Sequence, residues 1–327
     1  MKSNGIKLLV IQLLSMIAFA CPNFLVAQAK FPENSIKLIV PFAPGGGVDS
    51  AARLIAKQMQ TSLNTSIIVE NRPGANGSIG GKSVQVAPAD GYTLLFSAST
   101  HVLAKQVMAN APYDPWTDFT YVARVGEAPL LMVISPNLPQ KNLKEVIEAA
   151  KKNPEKWTAG LPALGAAAHL GTLMMIKQGD LHLTTAVYKG TSPALVDVAG
   201  GHTQILIDSV ISLQQMAKNG NVKPIIVTSA KRSSVMPNVP TAVESGFPKF
   251  VTESWYGIWA PKGVPEDRVQ LINKAANEAV RQLTKSGEFE NLGIEPVVES
   301  TEEFRKYTQR YISENTELLK WAGFKAE

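Results

Sequence analysis

The 327-residue sequence carries one cysteine, Cys21, and four histidines, His101, His169, His182 and His202. No His-x-x-x-His pair occurs, so the spacing typical of a helical zinc site is missing. The Gly-x-Ser-x-Gly turn that exposes a serine nucleophile is also missing. Basic residues form no run that would suggest nucleic acid, and no apolar stretch reaches the roughly 20 residues a membrane-spanning helix needs. Beyond the N-terminal segment there is no low-complexity tract or fixed-period repeat. The whole chain is 45% hydrophobic and 18% charged, enough to build one or two large cores.

The first thirty residues stand apart. Lys2 and Lys7 precede an uncharged run, Leu8 to Ala20, and Ala27-Gln28-Ala29 supplies a small-x-small pattern. This pattern predicts a secretory signal, residues 1–29, cut after Ala29, with the mature protein in the periplasm. Lipidation at Cys21 is the rival reading, and Phe19 and Pro22 fit it poorly. Cleavage after Ala29 would remove the cysteine, and with it any disulfide or thiol nucleophile. It would also take Lys2 and Lys7, lowering the formal +5 to about +3, a mild excess compatible with an acidic ligand.

From Ile36 the pattern alternates strand and helix. Ile36–Val40, Ser66–Glu70 and Tyr92–Ser97 read as strands, with helices at Val48–Gln60 and Ser78–Val86 between them. A second series begins after Thr120, with strands at Leu130–Ile134, Thr158–Gly160, Thr185–Tyr188, Thr203–Asp208 and Pro224–Thr228. Its helices are expected at Leu143–Lys152, Ala167–Gln178, Pro193–Ala199 and Ile211–Asn219, and two longer ones follow at Glu266–Leu283 and Thr301–Ala322. Such alternation predicts an α/β chain whose mainly parallel sheets are flanked by helices. The two series suggest two lobes: 30–124 with 252–327, and 125–251. The chain would cross between them near Tyr121–Pro129 and Val239–Ser254, leaving a hinged cleft where a ligand is expected.

Pro41-Phe42-Ala43-Pro44-Gly45-Gly46-Gly47 separates the first strand from its helix. No Lys-Ser/Thr follows Gly47, which rules out a Walker A loop, and Ser50 stands where a dinucleotide fingerprint needs its third glycine. A flexible turn at a helix start can accept an anion on its free N–H groups. Asp49 offers a competing reading, as a cap that satisfies those groups itself. Arg72 to Gly81 is a second Gly-rich turn, read as a tight turn with close helix packing, and Pro88 to Gly91 is a reverse turn. Ser97, Ser99 and Thr100 follow a strand, at the edge where open α/β sheets bind ligands. Gly165-Ala166-Ala167-Ala168-His169 and Gly190-Thr191-Ser192-Pro193 hold equivalent places in the second series. In the latter, Pro193 suits a first helical position and Ser192 a cap. Asp208 either enters the cleft or caps the next helix. The tryptophans are read as core or hinge residues, with Trp255 and Trp259 in the second crossing.

Several stretches together resemble one family, the substrate receptors of tripartite tricarboxylate transporters, also called Bug proteins. They are Ile39 to Asp49, Val69 to Ala75, Ala87 to Leu94, Pro112-Tyr113-Asp114-Pro115, Tyr188-Lys189-Gly190 and Val227 to Arg232. The resemblance implies a two-lobed periplasmic binding protein of the type II kind that closes on a small solute and delivers it to membrane transporter subunits. It implies no catalysis and no cofactor. It also places a ligand carboxylate at Phe42, Ala43, Gly45 and Gly46, partly through water, at Ser97, Ser99 and Thr100, and at Gly165, Ala166, Ala167, Gly190 and Thr191; Asp208 joins this set as a strand-end candidate. Relatives often carry Ser or Thr around Ala166 to Ala168. Losing those hydroxyls removes about 0.5–1.5 kcal/mol per neutral hydrogen bond, which suggests a ligand with one firmly held carboxylate and a less polar end, aromatic or aliphatic. His202 and Thr203 replace residues common in relatives and read as surface variation. Two other classes fit less well or equally: a periplasmic α/β hydrolase, disfavoured by the missing nucleophile motif, and a ligand sensor that would need the same closing cleft.

Overall fold

Ile36-Lys37-Leu38-Ile39-Val40 buries four of its five residues, as expected of a strand with neighbours on both sides and helices on both faces. The computed structural model describes residues 31–326, so the expected signal segment and Cys21 lie outside the described residues. The strands are β1 Ile36–Val40, β2 Ile67–Asn71, β3 Thr93–Ala98, β4 Phe119–Ile134 and β5 Thr158–Leu161. They continue as β6 Thr184–Val187, β7 Ile205–Ser209, β8 Lys223–Val227, β9 Glu253–Pro261 and β10 Glu295–Pro296. Their order is β2-β1-β3-β9-β4-β7-β5-β6, with β8 and β10 also on β4.

The sheet is mixed. β1 pairs in parallel with β2 and β3, and β5 with β6 and β7. Every ladder on β4 or β9 is antiparallel, because β9 returns from far along the chain to enter between β3 and β4. The mainly parallel expectation therefore describes the outer ladders. Strand β4 runs on through both halves of the sheet: Phe119–Pro129 pairs with β9, and Leu130–Ile134 with β7 and β8. The first crossing is thus a strand, with register shifts at Tyr121/Ala123 and Arg124/Gly126.

Helix Gly47–Leu63 buries Ala52, Ile55, Ala56 and Met59 on one face, as its spacing predicts, and ends on Asn64 in the left-handed region. Helix Thr301–Trp321 opens with a reciprocal Ser300–Glu303 capping box. Its Phe304 packs on Trp255 and Trp259 of β9. Beyond its far end Phe324 meets His169, which belongs to the β5–β8 half. The first half has an aromatic core, with Trp255, Trp259, Phe119, Tyr121 and Phe304 buried together. The second is mainly aliphatic, built on Leu130, Met132, Ile134, Ile205 and Ile207. No helix among the described residues is long and apolar enough to cross a membrane.

Candidate ligand-binding site

One cavity, of ≈ 90 Å³, opens where the two halves face each other. Water needs roughly 10–15 Å³ on this measure, so the space suits a small solute with a few waters. Its walls come from residues at or just beyond the carboxyl ends of parallel strands. Phe42 and Ala43 follow β1, Ala98 ends β3, Pro162 and Ala163 follow β5, Lys189 follows β6, and Asp208 lies in β7. In open α/β sheets this edge is where ligands bind.

Three helix N-termini meet there, those of Gly47–Leu63, Ala167–Gly179 and Thr191–Gly200. In none does the cap residue itself, Gly46, Ala166 or Gly190, supply a capping side chain. Among the described residues, the N–H groups of Gly46, Val48, Ala167, Thr191 and Ser192 have no protein acceptor, and all five residues line the cavity. Each such terminus favours a nearby anion by about 0.3–1 kcal/mol, and up to about 2 kcal/mol when partly buried. Together these groups can accept an anion without an arginine.

Two of these loops, those before Gly47 and before Ala167, are also tied to the opposite half. The Gly47 N–H donates to Ser212 Oγ at 3.0 Å. Asn76 Nδ2 donates to the Leu164 carbonyl at 2.8 Å, and Ser99 Oγ to the Gly165 carbonyl at 3.3 Å. Gly47 must be glycine or yield, since a Cβ there would stand 3.0 Å from Ser212 Oγ.

Among the residues singled out in sequence, Phe42, Ala43, Gly46, Thr100, Ala166, Ala167, Gly190, Thr191 and Asp208 line this cavity. Gly45, Ser97, Ser99 and Gly165 do not. The Gly45 N–H is taken by Asp49 Oδ2 at 2.9 Å, and Ser97 is buried behind the wall. Ser99 and Gly165 are used in the tie just described. Asp49 is not the helix cap. Gly46 holds that place, and Asp49 lies at the third helical position. Its carboxylate is gripped by Arg53 Nε at 3.0 Å and Asn71 Nδ2 at 2.9 Å. Burial pushes the Asp49 carboxyl up, but the bonds from Arg53, Gly45 and Asn71 outweigh it and hold the group below its ordinary range. The Thr191 helix likewise starts earlier than expected, with Gly190 as cap, so Ser192 and Pro193 stand inside its first turn. Ser209, not Asp208, caps the helix after β7.

Asp208 accepts Thr191 Oγ1 at 2.5 Å and the Ser209 N–H at 2.7 Å. Burial nevertheless pushes its carboxyl above the ordinary range, which softens the conflict between a wall carboxyl and an anionic guest. The second Gly-rich turn packs as tightly as expected: a Cβ on Gly80 would meet Pro41 at 2.8 Å, and one on Gly81 would strike Tyr113. Sequence reasoning did not single out Val48, Pro162, Ala163, Lys189 or Ser254 for the walls. Nor did it find Asn76 and Ser212, whose roles come from contacts 88 and 165 residues away. No group of three or more His, Cys, Asp or Glu suited to a metal exists among the described residues.

Residues 51–324 match the sequence profile described as "Tripartite tricarboxylate transporter family receptor". Protein BugT of Bordetella pertussis is 35% identical over 300 residues, covering 91% of this chain and 90% of its own length. An R. palustris protein solved with adipate superposes with a TM-score of 0.87 at 30% identity, over 91% of this chain and 100% of that one. MatC from Rhodopseudomonas palustris, solved with malate, gives 0.81 at 29% identity, over 88% and 100%.

Proposed function

The chain belongs to the tripartite tricarboxylate transporter receptor family of periplasmic solute-binding proteins, and from that premise we propose that it captures a small carboxylate-bearing solute and delivers it to a membrane transporter of the tripartite type. It is a receptor and not an enzyme. The observation that carries the proposal is the meeting of three helix N-termini with free N–H groups on one small cavity. In this reading two lobes, 30–124 with 252–327 and 125–251, close on the solute. The contacts are made by Phe42, Ala43, Gly46, Thr100, Ala166, Ala167, Gly190, Thr191 and Asp208, while Gly45, Ser97, Ser99 and Gly165 shape the loops behind them. A cleaved signal at 1–29 would place the mature chain in the periplasm.

The ligand's second end is less polar. Ala163, Ala166, Ala167, Pro162 and Phe42 give much of the wall an apolar character, and the charged side chains in it are Lys189 and Asp208. The neighbours bound to adipate and malate support a small carboxylate as the ligand class. Thermal-shift screening of the mature protein against aliphatic, hydroxy, aromatic and tricarboxylic acids tests this. A true ligand at 100 times its dissociation constant adds about 2.7 kcal/mol of stability. A flat response across the panel removes the carboxylate assignment. Calorimetry in which citrate binds more tightly than every monocarboxylic or aromatic acid removes the less polar end.

A further inference from the structure

The two halves contain the same local device, built with different chemistry. In the first, Gly45 is in the left-handed region at φ +83°, Gly46 caps the helix, and Asp49 at the third helical position reaches back to accept the Gly45 N–H at 2.9 Å. In the second, Gly165 stands at φ +72°, Ala166 caps the helix, and His169 at the third position accepts the Gly165 N–H on Nδ1 at 3.1 Å. Both bonds span four residues. In each loop the cap residue and the first helical residue line the cavity.

We propose that His169 is a positioning residue for ligand capture, and that its Nδ1 fixes the Gly165 turn so that the Ala166 and Ala167 backbone faces the solute. The inference rests on the carboxylate reading of the cavity given above. Gly165 has little freedom to move otherwise. Its carbonyl accepts Ser99 Oγ, and a Cβ on it would stand 3.2 Å from both Leu103 and Val107. Removing the acceptor leaves a buried N–H without a partner, and the turn can recover one only by rotating the loop.

The two acceptors differ in charge. Asp49 is anionic and is neutralised by Arg53, whereas His169 is 2% exposed with its ring against Phe324. Burial lowers the imidazole to about 4, so at neutral pH the ring is uncharged, with Nδ1 free to accept. An uncharged acceptor leaves the field of the Ala167 helix start undiminished. A carboxylate at the same place would hold the turn equally well and repel an anionic guest.

Three variants separate these effects: His169→Asn keeps a neutral acceptor on a short stem, as Asp49 shows is possible at this helical position; His169→Asp adds charge; His169→Leu removes the acceptor. Calorimetry with adipate, malate and benzoate is run on the wild type and all three, with melting followed in parallel. Using the acid that the wild type binds best, the Asn variant is expected to stay within a few-fold of wild type. The Leu variant should lose roughly tenfold or more, and the Asp variant should bind more weakly than Asn, increasingly so as salt is lowered. Equal affinities for Leu and Asn overturn the positioning role, and so does an Asn variant that melts like wild type yet binds tenfold more weakly. If the Leu variant does not fold, the Asn variant carries the test, and a folded Asn variant that binds tenfold more weakly than wild type overturns the positioning role. A wild type that binds no acid overturns the carboxylate reading itself, an outcome distinct from any of these.

Discussion

The Gly45–Asp49 and Gly165–His169 loops share a backbone path and differ in what holds it. The first is braced from its own half by a carboxylate that Arg53 and Asn71 grip, and it has open space around Gly45. The second is braced by a buried neutral ring, and Gly165 is crowded by Leu103 and Val107 of the opposite half. One backbone shape can therefore be stabilised by a buried carboxylate paired with a half-exposed arginine or by a buried neutral ring, and the two solutions respond differently to mutation and to acid.

The sharpest way to break the comparison is to add bulk to each glycine. Gly165→Val combines a left-handed conformation, about 1–2 kcal/mol, with overpacking worth about 1–3 kcal/mol, for a loss of about 2–5 kcal/mol in urea unfolding. Gly45→Ala meets no atom within 4 Å and should cost only the conformational part, about 1–2 kcal/mol. Equal losses would mean that the packing difference between the loops has no energetic weight.

Acid is the next lever. The native His169 imidazole is lowered by burial from 6.5 to about 4, so between those values the unfolded chain binds more protons than the native one. Stability then falls as pH drops from 6.5 and levels off near 4, by up to about 3 kcal/mol for this group. His101, lowered by burial to about 3, adds a loss of the same sign. Asp49 behaves oppositely in range: its native carboxyl is held below 3.8, so its contribution persists through this window and is lost only in stronger acid. Urea unfolding at several pH values should show a shallower decline for His169→Asn than for wild type. Identical slopes would show that His169 is not buried neutral.

The gentlest perturbation to the fold tests the cavity face. A Cβ on Gly46 meets nothing nearer than 3.9 Å, and its φ of −79° suits any residue. Gly46→Val should therefore leave the melting temperature within a few degrees while lowering affinity by roughly 100-fold, about 2.7 kcal/mol. A valine variant that melts normally and still binds would place the ligand elsewhere.

Much of this architecture was legible in the residues. The β1 strand, the Leu143–Lys152 helix and the Thr301 helix were read within a residue or two, because their apolar spacing is regular and their ends are well marked. The first part of β4 is expected from sequence as a crossing between lobes, and the structure makes it a strand. Its Arg124 is in fact held by Glu299 at 3.0 Å and lies 3.6 Å from the Tyr307 ring centroid, and such distant partners leave no local trace. The loops of the candidate site were visible as glycines after strands. The acceptor four residues beyond Gly45 and Gly165 was visible too, as Gly-x-x-x-Asp and Gly-x-x-x-His, but only geometry reveals that a histidine does a carboxylate's work there. The cross-cleft ties through Asn76, Ser99 and Ser212 depend on how the halves meet, and no periodicity encodes that.

The place of β9 bears on the order in which the chain can assemble. Leu95 of β3 finds its partner at Trp259, so the first sheet to be synthesised stays incomplete until more than a hundred further residues have emerged. The ladders of β5, β6, β7 and β8, together with the end of β4, come from one uninterrupted stretch and need not wait. The half that begins the chain is thus the last to close, and contacts of such long separation are slow to form.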